Sequence, residues 1–153
     1  MNKSIATTFL IFVALLMVGC GSSSGGNSGN VNGNWNASLT NASDGSPAYT
    51  FSTTFTQSSN GAVSVTNFKF NSAGPCFESQ STSQTGSFTL SGNSGGNVTG
   101  TFGMVITTMF PAAATQNVLN LQGTVNGNTI TGTWNLTGTS GCSGNGNFTI
   151  NKS

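Results

Sequence analysis

An all-β domain, folded as a small antiparallel up-and-down β-barrel of about eight strands, is what this sequence predicts. Three observations carry the expectation. Apolar residues alternate with Thr, Ser and Asn in short runs, the period of a strand with one buried face. Turn residues separate these runs at roughly ten-residue spacing, the rhythm of a barrel or sandwich. No stretch beyond the first twenty residues shows a helical period.

The strands follow in order. Trp35, Ala37 and Leu39 share one parity, as do Tyr49, Phe51 and Phe55. Val63 and Val65 are followed by Phe68 and Phe70 on the opposite parity, which places a β-bulge near Thr66-Asn67. Phe77 is a lone apolar residue in a weak strand after Cys76. Phe88 and Leu90 come next, then Val98, Phe102, Met104 and Ile106, then Leu119 and Leu121. Ile130, Trp134 and Leu136 precede a last strand through Phe148 and Ile150. Turns are expected at Ser43-Asp44-Gly45-Ser46, Ser59-Asn60-Gly61, Ser91-Gly92-Asn93, Gly95-Gly96-Asn97 and Asn126-Gly127. The last of these suits a type I′ hairpin, which needs φ > 0 twice. The apolar loop Met109 to Ala114 is either a flap at a barrel mouth or a plug in the end of the core.

A weak repeat argues for closure into a barrel. Val98-Thr99-Gly100-Thr101-Phe102 matches Ile130-Thr131-Gly132-Thr133-Trp134, with Gly33-Asn34-Trp35 as a shorter echo. Each Gly has the parity of the apolar residues and so faces the core, as does Gly123. A core-facing Gly lets a strand coil sharply, and a neighbouring aromatic covers it. Exposed edge strands are normally guarded by Lys, Pro or inward charges, and this chain has almost none to spend. The barrel is therefore preferred to its alternative, a two-sheet β-sandwich. On the outer face, Thr99, Thr101, Thr129, Thr131 and Thr133 are read as good polar β-formers on a solvated wall.

Charge narrows the function. The 153 residues carry three Lys and Arg together, two Asp and Glu together, and no His. A nucleic-acid partner needs a basic patch, and a metal site needs clustered His, Cys or carboxylates. Acid–base catalysis needs two positioned titratable groups. Asp44 reads as a turn residue. Glu78 has only Lys69 as a plausible partner, and an exposed pair of that kind contributes little. No enzyme, cofactor, metal or nucleic-acid partner is expected.

Residues 1–19 read as an export signal: Lys3 supplies the basic start, and the apolar run Phe9 to Val18 is too short to span a bilayer comfortably. The run closes on Leu16-Met17-Val18-Gly19-Cys20, which resembles the lipobox of bacterial lipoproteins. Met17 departs from the usual Leu three residues before the Cys, with Leu16 one position away. The resemblance implies cleavage before Cys20 and lipidation of its thiol. Gly21, in place of the Asp that usually retains such proteins at the inner membrane, implies the outer membrane. Multiple acyl chains give stable anchoring, at about 0.8 kcal/mol per buried CH₂. Residues 20–33 then form a lipidated Gly/Ser/Asn tether, and residues 34–153 a single all-β domain. With Cys20 lipidated, Cys76 and Cys142 remain as an even pair, read as a disulfide in an oxidising envelope. A bilayer-spanning barrel is the poorer reading, because a lipid anchor would be redundant for it.

Gly33-Asn34-Trp35 also resembles the first strand of the up-and-down barrels of the lipocalin and avidin-like group. The match is three residues plus the hairpin rhythm, and no ligand-holding residue carries over. The sequence offers no basic residue placed to stack on Trp35. The resemblance implies a barrel that holds a small apolar ligand, with Trp35, Phe102 and Trp134 as candidate lining residues. The alternative is a structural or protein-interaction lipoprotein with a filled core.

Overall fold

The computed structural model describes residues 31–58, 62–78, 82–94, 97–108, 116–139 and 141–153. Among them eight strands close into one antiparallel barrel in simple sequence order. They are β1 Gly33–Asn41, β2 Pro47–Gln57, β3 Ala62–Ser72, β4 Thr82–Ser94, β5 Asn97–Thr108, β6 Val118–Asn126, β7 Thr129–Thr137 and β8 Gly144–Lys152. β1 closes the ring on β8 from Trp35↔Lys152 to Asn41↔Gly146.

The alternation read from the sequence is the burial pattern of the wall. Leu39, Phe51, Phe55, Ile106, Leu119, Ile130 and Ile150 have essentially no exposed surface. The expected parity switch in β3 is present: Ser52 pairs with Lys69 but Thr54 pairs with Thr66, and Asn67 between them has φ +52°.

The interior of an eight-stranded barrel has room for its own side chains or for one small ligand, and here its wall sets large inward residues against glycine. One inward row runs Phe88, Phe102, Gly123, Gly132, Phe148, Leu39, Tyr49 around six strand pairings. At Gly132 a Cβ would collide with the Gln122 carbonyl oxygen and the Gly123 Cα, and at Gly123 with the Thr131 carbonyl oxygen and the Phe148 ring. The two glycines therefore let β6 and β7 coil inward, and Phe148 covers the gap.

Four local expectations are corrected. The segment after Cys76 is no strand but a single helical turn, α1 Gly74–Phe77, with Pro75 in its first turn and Gly74 at φ +57°. Proline supplies a helix-ready φ there and removes a ladder donor. The β6–β7 hairpin has Gly127 and Asn128 as its central pair, since Asn126 pairs with Thr129. Only Gly127 has positive φ, at +60°, which is the type II′ pattern rather than I′. Ser91-Gly92-Asn93 is not a turn but strand, carried past the expected reversal by a register shift between Leu90 and Gly92. Finally, the fold takes in Val31, two residues before β1: its side chain is 2% exposed and its carbonyl accepts the Trp35 indole N–H at 2.8 Å. The turn at Ser59-Asn60-Gly61, the turn residues Gly95-Gly96 and the Met109 to Ala114 loop lie outside the described residues, as do the signal segment and Cys20.

Candidate functional site

The two ends of the barrel are built differently. At the end where β1 begins, Val31 and Trp35 close the core. Trp35 packs on Phe55, which packs on Phe102, which packs on Phe148, with ring centroids 5.5–6.3 Å apart. Lys152, paired with Trp35 across β1 and β8, sets its Nζ 5.8 Å from the Trp35 ring, within cation–π range. This corrects the sequence reading, which found no basic partner for Trp35. The partner lies 117 positions away, and only barrel closure brings it near. Nor is this end of the chain frayed: the Lys152 N–H bonds the Asn128 carbonyl and the Ser153 N–H bonds the Asn34 carbonyl, each at 2.9 Å.

At the opposite end α1 lies over the mouth with Cys76 and Phe77 buried. A disulfide joins Cys76 to Cys142, Cα atoms 5.6 Å apart and 66 positions apart in sequence. It ties the β3–β4 connection to the β7–β8 connection, which face each other across an eight-membered ring. Asn117, 2% exposed, holds the same end by a second route. Its Nδ2 donates to the Cys76 carbonyl at 2.8 Å, while its Oδ1 accepts from the N–H and hydroxyl of Thr139 at 2.9 and 3.1 Å. Its own N–H donates to the Thr108 hydroxyl at 2.9 Å. One amide side chain thus links three connections, with both of its polar atoms satisfied as burial requires. Nothing in the local sequence marks Asn117, since chains rich in Asn disguise the one that is buried.

Tyr49 packs edge-on against Phe77 and Trp134 at this end, and burial pushes its phenol above its ordinary pKa of 10.0. Asp44 accepts the Ser46 N–H at 3.0 Å and the Ser46 hydroxyl at 2.7 Å. The Ser46 bonds hold its carboxyl below the usual 3.8. These signs define a pH profile. A lowered carboxyl stabilises the fold above its unfolded pKa and loses that contribution as pH falls through the folded value. A raised phenol contributes below pH 10.0 and loses as pH climbs towards its folded value. Urea midpoints are therefore expected to coincide between about pH 5 and pH 9 and to drop at about pH 11. A midpoint that moves steadily between about pH 5 and pH 9 would contradict this account.

The candidate lining residues separate on this plan. Trp35 and Phe102 share contact with Phe55 at one end, whereas Trp134 packs on Tyr49 at the other. All three are buried, and the Trp134 indole N–H donates to the Thr40 carbonyl at 2.9 Å. Among the described residues the wall carries shallow concavities. One lies across β4, β5 and β6 at Ser87, Gly103 and Gln122, and another across β6, β7 and β8 at Thr124, Thr131 and Asn147. The outward threonines fall into register as a belt of hydroxyls: Thr89, Thr101, Thr124, Thr131, Thr149, Ser38, Thr50 and Ser72 are successive cross-strand neighbours.

The barrel has one weak seam. Its other neighbouring strands pair over long stretches, as β4 and β5 do from Thr82↔Thr108 to Ser94↔Asn97. Among the described residues, β3 and β4 pair only at Ala62↔Ser87 and Val63↔Gly86. Past Val63, β3 continues to Ser72 held by β2 on one side. The inward side chains of this stretch, Val65, Phe68 and Phe70, are only partly buried. Phe68 and Phe70 pack on Phe51, and Phe70 stacks on Phe77. Lys69 lies on the same stretch, exposed. The sequence showed the bulge in this stretch but not the lost pairing with β4, because register between distant strands leaves no local mark.

The class defined by fold and site is thus a small closed antiparallel barrel with an apolar interior, a strapped mouth and, among the described residues, one weakly paired seam. No protein-family model, curated protein or solved structure matches the chain.

Proposed function

We propose that this chain is a lipid-anchored protein of the bacterial cell envelope, non-enzymatic, which works through its outer surface as a structural or protein-interaction module. The observation that carries the surface reading is the committed interior. Trp35, Phe102 and Trp134 each pack against other core side chains, and both indole N–H groups already bond backbone carbonyls. A pocket built to hold an apolar ligand leaves lining groups facing free space; glycine and aromatic surfaces here fill one another. The lipid anchor rests on the Leu16 to Cys20 segment, and the Cys76–Cys142 disulfide suits the oxidising compartment that an exported protein meets. Gly21 favours the outer membrane.

Two measurements test the two halves of this reading. Labelling with radioactive palmitate in a bacterial host is expected to mark the full-length chain and to be lost in Cys20→Ser, which then fractionates away from membranes. An unlabelled parent chain would overturn the anchor. Native mass spectrometry of the parent chain in detergent is expected to show protein and anchor lipid alone. A further non-covalent adduct that survives mild activation and leaves on denaturation would make the barrel a carrier of a small apolar ligand instead.

A further inference from the structure

We propose that the open stretch of β3, Ser64–Ser72, is a docking edge for an extended peptide segment of a partner protein. The added strand would pair with β3, lie over Val65, Phe68 and Phe70, and set a carboxylate against Lys69. The inference deepens the interaction-protein reading above and rests on it, naming the surface and the kind of partner.

Three features of the seam lead there. The first is the main chain. A strand edge presents a row of N–H and C=O groups that demand partners, and among the described residues no pairing with β4 follows Val63↔Gly86. Another strand is the ligand whose own backbone matches that row. A small apolar molecule has nothing to offer it. The second is the apolar surface. Phe88, Phe102 and Phe148 are at most 4% exposed, while Phe68 and Phe70 on the seam stay partly open. Alternate side chains of an added strand would cover them, since residues two apart share a face. The third is charge. β3 and β4 themselves carry Lys69 and no Asp or Glu, Glu78 lying past α1 in their connection, so the complement to the β3 edge at Lys69 is anionic.

The same features argue against a second copy of this chain as the occupant. Antiparallel pairing of two β3 edges would bring one Lys69 towards the other, and edge lysines and bulges are the devices by which proteins prevent self-pairing. The bulge at Asn67 adds to this. It shifts the register of β3 against β2 within the open stretch, and it makes the edge a poor match for itself.

The test uses the whole lipidated protein in detergent and hydrogen–deuterium exchange. The probe is a nine-residue peptide of alternating Val and Thr with a central Glu. Its comparators are the same peptide with a central Lys, and the Glu peptide with alternate amides N-methylated. The Glu peptide is expected to slow exchange in Ser64–Ser72 at least tenfold and to leave the β6–β7 hairpin unchanged, with the N-methylated form inert. The charge preference is that of an exposed ion pair, about two- to fivefold in affinity for Glu over Lys, and Lys69→Glu is expected to reverse it. The proposal is overturned if the edge is already protected in the free protein, or if its protection rises with protein concentration alone, the mark of a second copy. It also fails if neither peptide binds, or if the N-methylated peptide binds as well as its parent. None of these outcomes bears on whether the interior is filled, which the native mass spectrum decides separately.

Discussion

Replacing Cys76 and Cys142 together by Ala is expected to lower the unfolding free energy by about 4 kcal/mol. The figure follows from the entropy of closing a loop of this length in the unfolded chain. In thermal unfolding this corresponds to a fall in Tm of roughly 10–20 °C for a domain of this size. The native state gives a second reason to expect a large effect. The strap crosses the mouth from the β3–β4 connection to the β7–β8 connection, and the β3–β4 junction is where the wall is least paired. Without the bond, the Asn117 amide and the packing of Phe77 on Tyr49 and Phe70 are what still tie α1 to the rest of the mouth. The double variant should therefore lose exchange protection first in α1 and in those amides of β3 beyond Asn67 that bond β2, and only then globally. Urea denaturation of oxidised protein and double variant measures the free energy, and exchange in the variant locates the loss. A difference below about 1 kcal/mol would mean that the unfolded chain is already compact around this pair, and that the strap is redundant.

What the sequence disclosed and what it hid divide along a physical line. Period-two burial is local, so Trp35, Phe51, Phe102, Met104 and Ile130 could be assigned to the interior from their neighbours alone. The bulge near Asn67 was legible for the same reason, as a change of parity within five residues. The disulfide followed from compartment and counting. Features that depend on closure were invisible: the Lys152 stack on Trp35, the Asn117 node and the seam beside β3 all join residues far apart in sequence. Turn chemistry failed in a third way. Asn-Gly and Ser-Gly-Asn mark a reversal but leave its position open by a residue or more, and pairing across the hairpin decides it. Hence Asn126 sits in the ladder opposite Thr129, and Gly92 lies within β4. For the functional site the balance is harsher. The sequence pointed to aromatic residues in the interior, whereas the open surface is an edge whose residues read as ordinary strand.

The packing argument for a filled interior makes its own sharp demand at Gly132. Gly132→Ala is expected to cost about 3 kcal/mol, at the upper end for adding a methyl group to a packed core. The reason is what the methyl group would meet. A Cβ at Gly132 runs into the Gln122 carbonyl oxygen and the Gly123 Cα, both of them backbone. A side chain in the way could change rotamer, but a neighbouring strand can only move as a unit. In a closed ring that movement disturbs the next pairing, where Gly132 faces Phe148. Gly45→Ala separates this steric cost from the general cost of replacing glycine. Gly45 has φ +69° and open space around its Cβ position, so its substitution carries backbone strain alone, about 1 kcal/mol. Urea denaturation of the two variants side by side should therefore place Gly132→Ala well below Gly45→Ala in stability. The reverse order, or equal midpoints, would mean that β6 and β7 can separate at little cost. The interior would then have slack enough to admit a guest, and the reading of this barrel as a solid body with a working outer surface would fail with it.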